Sequence, residues 1–477
     1  MCILKMQIRG MTKIILCFLL TAVTTVGNTQ TKPLPTKSQL AWHKMEFYLF
    51  MHFGPNTFTD KEWGEGTEPE DIFNPTNLDC RQWCRIAKAA GAKGIIITAK
   101  HHDGFCLWPS KYSTHTVRES KWKNGKGDVL KELSQACKEY GLKFGVYISP
   151  WDRNHPKYGT LEYNTVFVNM MKEIFTNYGP IWELWWDGAN GEGPNGKKQV
   201  YDWDRFKKTV RALSPNTLVF SDIGPHIRWC GNENGIASET NWNFLDTAGF
   251  TPGAGAPSVD TLNQGNINGK NWIPAECDVS IRPGWFYHKE QDQKVKTPEQ
   301  LFDLYLKSVG RGANLLLNVP PDRSGKIQEN DSATLMEFKN LRDENFRHNL
   351  SFNYGIEGMK FISKPKPFTS QFEIRLTDFK TEKIEVGLNG KKLINCIVLG
   401  ENIQKGQSVV KFKIDLYNKE IAVKTLEATT IGRKRILSFP ATECTRFSIQ
   451  IEEAKQSPSL NTIESYLISE KLIEKKN

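Results

Sequence analysis

Gly94-Ile95-Ile96-Ile97-Thr98-Ala99-Lys100-His101-His102-Asp103-Gly104 is an apolar run that stops in two imidazoles and a carboxylate. A short apolar run without alternation reads as a strand buried on both faces, as in a parallel sheet. The stretch before it, Cys80 to Ala90, has helical spacing and closes at Gly91 as a C-cap. Helix, doubly buried strand and polar loop together make the unit of an α/β fold.

The unit recurs in both directions. Strands are read at Glu46 to Phe53, Leu142 to Ser149, Ile181 to Asp187, Thr217 to Asp222, Trp272 to Ile281 and Ala313 to Val319. Helices are read at Val129 to Tyr140, Tyr163 to Tyr178, Trp203 to Leu213, Pro298 to Val309 and Thr334 to Arg347. An eighth strand is placed at Ile236 to Trp242, inside a loop-rich region from Gly224 to Gly269. Eight strands within roughly 300 residues predict a (β/α)8, TIM-like barrel over residues 36–348. A doubly wound open sheet is the alternative. It is disfavoured because no glycine-rich phosphate loop follows the first strand.

From Phe352 the texture changes to alternation, as in Phe372-Glu-Ile-Arg-Leu and Phe447-Ser-Ile-Gln-Ile. Residues 352–453 are predicted to form a C-terminal antiparallel β-sandwich, and residues 454–477 a charged tail without strand pattern.

The formal charge of +10 is spread along 477 residues with acids interleaved, which argues against a nucleic-acid partner. Lys5, Arg9 and Lys13 precede the apolar run Ile14 to Val23, and small residues follow. Residues 1–30 therefore read as a signal peptide and linker, predicting a secreted or periplasmic protein. The run is too short for a membrane span, and no other stretch looks transmembrane. Setting aside Cys2 and Cys17, eight cysteines are scattered without disulfide or zinc spacing and are expected to be free, buried thiols.

In a barrel of this kind the functional residues lie just past the strand ends, at one face. Here those ends carry His52, His101-His102-Asp103, Ser149-Pro150-Trp151-Asp152, Asp187 and Asp222, then Arg228-Trp229 and Glu233, then Glu276, Asp278, Arg282 and Trp285. In Trp185-Trp186-Asp187-Gly188 a carboxylate stands beside indoles where a strand opens into a loop. Rings pack on the C–H face of a sugar, and a carboxylate can attack or stabilise an anomeric carbon. Each residue has a structural alternative. Asp187 could simply open a turn, His52 could be a satisfied core histidine, and three histidines with acids could hold a metal. No i, i+4 histidine spacing supports the metal, and no organic cofactor motif is present.

His52-Phe-Gly-Pro-Asn-Thr-Phe, Glu62-Trp63-Gly64, Lys100-His-His-Asp-Gly-Phe, Gly145-Val-Tyr-Ile-Ser-Pro-Trp, Trp186-Asp-Gly-Ala-Asn-Gly and Ile227-Arg-Trp-Cys-Gly-Asn-Glu, in this order, resemble the α-L-fucosidases of glycoside hydrolase family 29. Ser149 to Asn154 and Gly231-Asn-Glu resemble the branch acting on α-1,3/1,4-linked fucose. The resemblance implies retaining hydrolysis of fucosylated oligosaccharides or glycoconjugates, without metal or organic cofactor. Asp187 then matches the nucleophile and Glu233 the acid/base, with Glu239 and Glu276 as local rivals. His52, His101, His102, Glu62, Trp63 and, less closely, Tyr147 match fucose-holding positions. Trp151, Arg228, Arg282 and Trp285 are expected in the pocket or on its leaving-group side. Two alternatives are a different barrel glycosidase, galactosidase-like, and a non-catalytic carbohydrate-binding barrel.

Overall fold

The computed structural model describes residues 33–357, 362–363 and 373–473. Eight parallel strands close into a barrel: β1 (Phe47–Met51), β2 (Gly94–Lys100), β3 (Lys143–Ile148), β4 (Glu183–Trp185), β5 (Leu218–Ser221), β6 (Ile227–Trp229), β7 (Ala275–Ser280) and β8 (Asn314–Asn318). They pair in sequence order, and β8 returns to β1 with Phe47 opposite Leu315.

Side-chain alternation sorts the strands into two cores. Tyr48, Phe50, Ile96, Tyr147, Trp185, Phe220 and Leu316 pack together in one cluster inside the barrel. Their neighbours Leu49, Ile95, Ile97, Val146, Leu184, Val219 and Leu315 face the surrounding helices. Several helix starts are fixed by side-chain caps. Asp79, Asp128 and Asp202 accept from the third residue of their helices, and Thr297 and Gln300 form a capping box behind Pro298. The short helix Lys37–His43 lends Trp42 to the inner cluster. The Trp42 indole donates to Tyr48 Oη at 2.8 Å and Glu183 Oε2 at 3.2 Å.

The sixth strand departs from expectation. It is Ile227–Trp229, reached from β5 through residues 222–226 alone, whereas residues 236–242 run irregularly. Three residues centred on an arginine carry no hydrophobic period, so the pattern was invisible. The strand is held by its neighbours, with Ser221 opposite Arg228 and Trp229 opposite Glu276. Residues near 241 dock instead on the C-terminal domain. Asn241 N donates to Thr430 Oγ1, and Asn243 N to Gln407 Oε1.

The C-terminal domain is an antiparallel sandwich. Two long strands, Lys383–Glu401 and Arg435–Ala454, pair along their length through register shifts. Residues from both halves of each strand bury into one apolar core, so each strand serves both layers. The stretch after Ala454 is not a tail. Ser459–Tyr466 is a strand paired to Cys396–Glu401. Its register shifts so that Gly400 faces Thr462 and Glu401 faces Leu460, which places buried Leu460 and Ile463 three apart. That bulge breaks the alternation by which strands are recognised. The signal-peptide reading falls on residues outside those described.

Candidate active site

At the C-terminal end of the barrel the inward phase of β1 continues to His52, and that of β4 to Asp187. The Asp187 side chain is 25% exposed. Its Oδ2 accepts from the Tyr147 hydroxyl at 3.0 Å, and its Oδ1 from Ala189 N at 2.7 Å. His102 Nε2 stands 3.8 Å from Oδ2, and the other ring nitrogen of His102 meets Ser149 Oγ at 2.8 Å. Two donors, one on each oxygen, therefore fix the rotamer of the carboxylate, with the His102 ring beside it. His101 lies ring to ring with Tyr147 at 5.8 Å and with His52 at 5.8 Å. His52 Nδ1 contacts Asn318 Oδ1 at 2.8 Å, and Asn318 Nδ2 donates to Trp285 O.

Indoles wall this pocket. Trp151 stacks near His102 at 4.8 Å, and Trp63, 54% exposed, stands edge-on to both. Gly191 is required here: a Cβ would lie 2.1 Å from the Trp151 ring, whose N–H donates to Glu192 O. On the other side Trp285 lies 5.0 Å from His52 and donates its indole N–H to Glu233 Oε2 at 3.1 Å. Glu62 is engaged by a neighbouring loop. It accepts from Trp285 N at 2.7 Å and contacts His288 Nε2 at 2.6 Å, holding the loop that carries Trp285.

Residues 28–342 match the family model described as alpha-L-fucosidase. The chain belongs to the α-L-fucosidase family. It is 39% identical over 449 residues to "Alpha-L-fucosidase 1" of Arabidopsis thaliana, covering 91% of this chain and 88% of that one. A glycoside hydrolase 29 family member from an unknown rumen bacterium superposes with a TM-score of 0.81 at 40% identity, over 92% of this chain and 78% of the other. A Ruminococcus gnavus family 29 fucosidase in complex with fucose gives 0.81 at 29% identity, over 92% and 96%. Fold and family agree: this is a glycoside hydrolase, an α-L-fucosidase.

Two residues expected in the pocket or on its leaving-group side, and the two rival acids, lie elsewhere in the fucosidase. Arg228 is wholly buried on β6 and donates to Leu262 O, Trp242 O, Asn241 Oδ1 and Ile273 O. It organises the long β6–β7 connection, and its donors are already engaged. Arg282 is 1% exposed, pairing with Asp331 at 2.9 Å and Asp292 at 2.9 Å. Neither guanidinium reaches the pocket, because a buried cation needs protein acceptors and these arginines found them in distant segments. Of the rival acids, Glu239 pairs with Arg311, ahead of the start of β8, so it sits at the opposite end of the barrel. Glu276 is fully buried inside the barrel, accepting from the Trp185 indole at 2.9 Å and from the Tyr48 hydroxyl.

Burial sets the charge state of the pocket. It pushes His52 down to about 3. It lowers His102 to about 4, the Asp187 charge recovering only part of the loss. His101 is likewise held well below its ordinary value, first by burial and then by the neighbouring His102 and His52. At neutral pH all three are neutral imidazoles, each with one donor and one acceptor nitrogen, suited to hydroxyl groups. His101 Nδ1 is buried without a partner among the described residues. Asp222, at the end of β5, is pushed up to about 7, mainly by burial and further by Asp187. Among the described residues no group of three or more His, Cys, Asp or Glu side chains is placed to hold a metal ion. His288 and Asn318 went unread in the sequence. Asn318 ends β8 and would follow from the strand-end rule, whereas His288 acts through the distant Glu62.

Proposed function

We propose that the enzyme hydrolyses fucosides with retention, Asp187 acting as nucleophile and Glu233 as acid/base. The observation that carries this is the Asp187 carboxylate: half-buried, held on both oxygens by Tyr147 and Ala189, and open to the barrel mouth. An attacking carboxylate must be rotationally fixed and open to the anomeric carbon, and the two donors hold it so. In the first step Asp187 attacks the anomeric carbon while Glu233 gives its proton to the leaving oxygen. In the second step Glu233 takes a proton from water, which opens the fucosyl ester. The neutral His52, His101 and His102 hold fucose hydroxyls, and Trp63, Trp151 and Trp285 supply apolar walls.

Preference for α-1,3/1,4-linked fucose in branched glycans is part of the same reading. It rests on Trp151 and Trp285 beside the leaving-group position, since Arg228 and Arg282 face away. The leader of residues 1–30 supports export to the periplasm or beyond. The test is Asp187→Ala together with NMR of the first-formed sugar anomer. Turnover should fall by several orders of magnitude and the wild type should release the α-anomer. A loss within about tenfold, or release of the β-anomer, overturns the mechanism. For linkage, kcat/KM on a Lewis trisaccharide should exceed that on the same glycan lacking galactose. A ratio near one removes the branched-glycan preference alone.

A further inference from the structure

Outside the barrel mouth, a cleft of about 480 Å³ opens between the start of helix Trp203–Leu213 and the segment 247–252. Strand alternation creates it. Trp185 turns inward, so Trp186 turns outward and packs its ring 5.7 Å from Trp203 and 6.2 Å from Phe206. Tyr201 stands 5.1 Å from Trp203, and Phe250, 42% exposed, lines the cleft from the segment 247–252. The floor carries a second signal. Trp186 is 1% exposed, and its indole N–H has no acceptor among the described residues. A buried donor without a partner is costly unless an oxygen from outside the chain meets it.

We propose that this cleft binds a neutral pyranose, as a saccharide site separate from the one at Asp187. Aromatic faces at the wall and Phe250 at the lip suit the C–H face of a sugar ring. The Trp186 N–H suits a hydroxyl or ring oxygen. Asp202, Asp204 and Lys207 rim the opening, with Lys207 paired to Asp204 at 2.9 Å. They offer donors and acceptors to hydroxyls and give an anion no excess of positive charge, which selects against phosphate and nucleic acid. The size lies in the range of small-ligand sites. The site also adjoins the mouth through one thin wall. Gly253, next to the cleft-lining Pro252, donates its N–H to Asp222 at 2.8 Å. A Cβ on Gly188 would lie 3.6 Å from Gly253 Cα. A glycan held by fucose at Asp187 can thus have a more distant residue, or a neighbouring chain, seated here.

The test uses the full enzyme with lactose and cellobiose as probes, followed by saturation-transfer NMR. Binding should weaken at least about fivefold in Phe250→Ala, which removes the stacking lip. It should weaken also in Trp186→Phe, which keeps a ring and removes the donor. Phe250→Ala should leave kcat/KM on an aryl fucoside unchanged. Failure of both probes to bind at tens of millimolar, or equal binding to wild type and Phe250→Ala, overturns the proposal. Aryl-fucoside hydrolysis by the wild type, measured in parallel, keeps this outcome distinct from failure of the fucosidase mechanism.

Discussion

The Trp285 indole N–H donates to Glu233 Oε2 at 3.1 Å, while the backbone N–H of the same residue donates to Glu62 at 2.7 Å. One tryptophan therefore fixes the exposed Glu233 loop to the loop after β7, and lies 5.0 Å from His52 as it does so. Because Glu233 is exposed, its aim depends on that contact. Trp285→Phe should keep the wall and lose the aim. Loss of a general acid hurts poor leaving groups most. Both Trp285→Phe and Glu233→Ala should therefore lose more activity on an oligosaccharide than on an activated aryl fucoside, Glu233→Ala by far the more. Azide should rescue Glu233→Ala on the aryl substrate. Equal losses on both substrates without rescue would remove Glu233 from the acid/base role.

The histidine cluster predicts an acid-side loss of stability. In the folded chain His102 takes its proton only at about 4, whereas an unfolded histidine takes it near 6.5. Between those values the unfolded state binds more protons, so stability must fall as pH drops through that window. Denaturant titrations at pH 7, 5.5 and 4.5 should show the fall. His102→Gln should flatten it, whatever that substitution costs at pH 7. An unchanged slope would mean that the ring is not held neutral.

Inside the barrel the opposite sign applies. Glu183 and Glu276 are both fully buried, and burial together with their mutual repulsion raises Glu183 well above its ordinary value, with burial raising Glu276 too. A raised folded value means that the folded state holds the extra proton. Stability is then full below the unfolded value and is lost as pH rises through the folded one. Glu183→Gln keeps an acceptor for the Trp42 indole and removes one ionisation. Its Tm relative to wild type should improve from pH 5 to pH 8. A pH-independent difference would mean that Glu183 is not held protonated in the folded chain.

Arg282 tests structure apart from function. Its guanidinium is the partner of Asp331, which is 0% exposed. Arg282→Met leaves that carboxylate buried and unpaired, a change that typically costs about 3–5 kcal/mol. Tm should drop by many degrees, with KM for fucosides in the surviving folded fraction unchanged. A KM increase without loss of stability would return Arg282 to the pocket.

The amino-acid sequence determined the barrel and much of its mouth, because both rest on local rules. Doubly buried strands such as Gly94–Lys100 announce themselves by apolar runs, and the strand-end rule then delivers His52, His101, His102 and Asp187 to one face. Only the tertiary structure decided what the isolated charges do. Arg228 and Arg282 both follow barrel strand ends in the sequence, yet the hydrogen-bond donors of each are taken by acceptors that lie far along the chain, Ile273 O and Asp331 among them. Glu276 and Glu239 differ from Glu233 by the end or interior of the barrel they occupy, which no spacing encodes. The strands Ile227–Trp229 and Ser459–Tyr466 escaped notice for a related reason. One is three residues long and the other carries a bulge, so both are held in place by the ladders of their neighbours rather than by a period of their own.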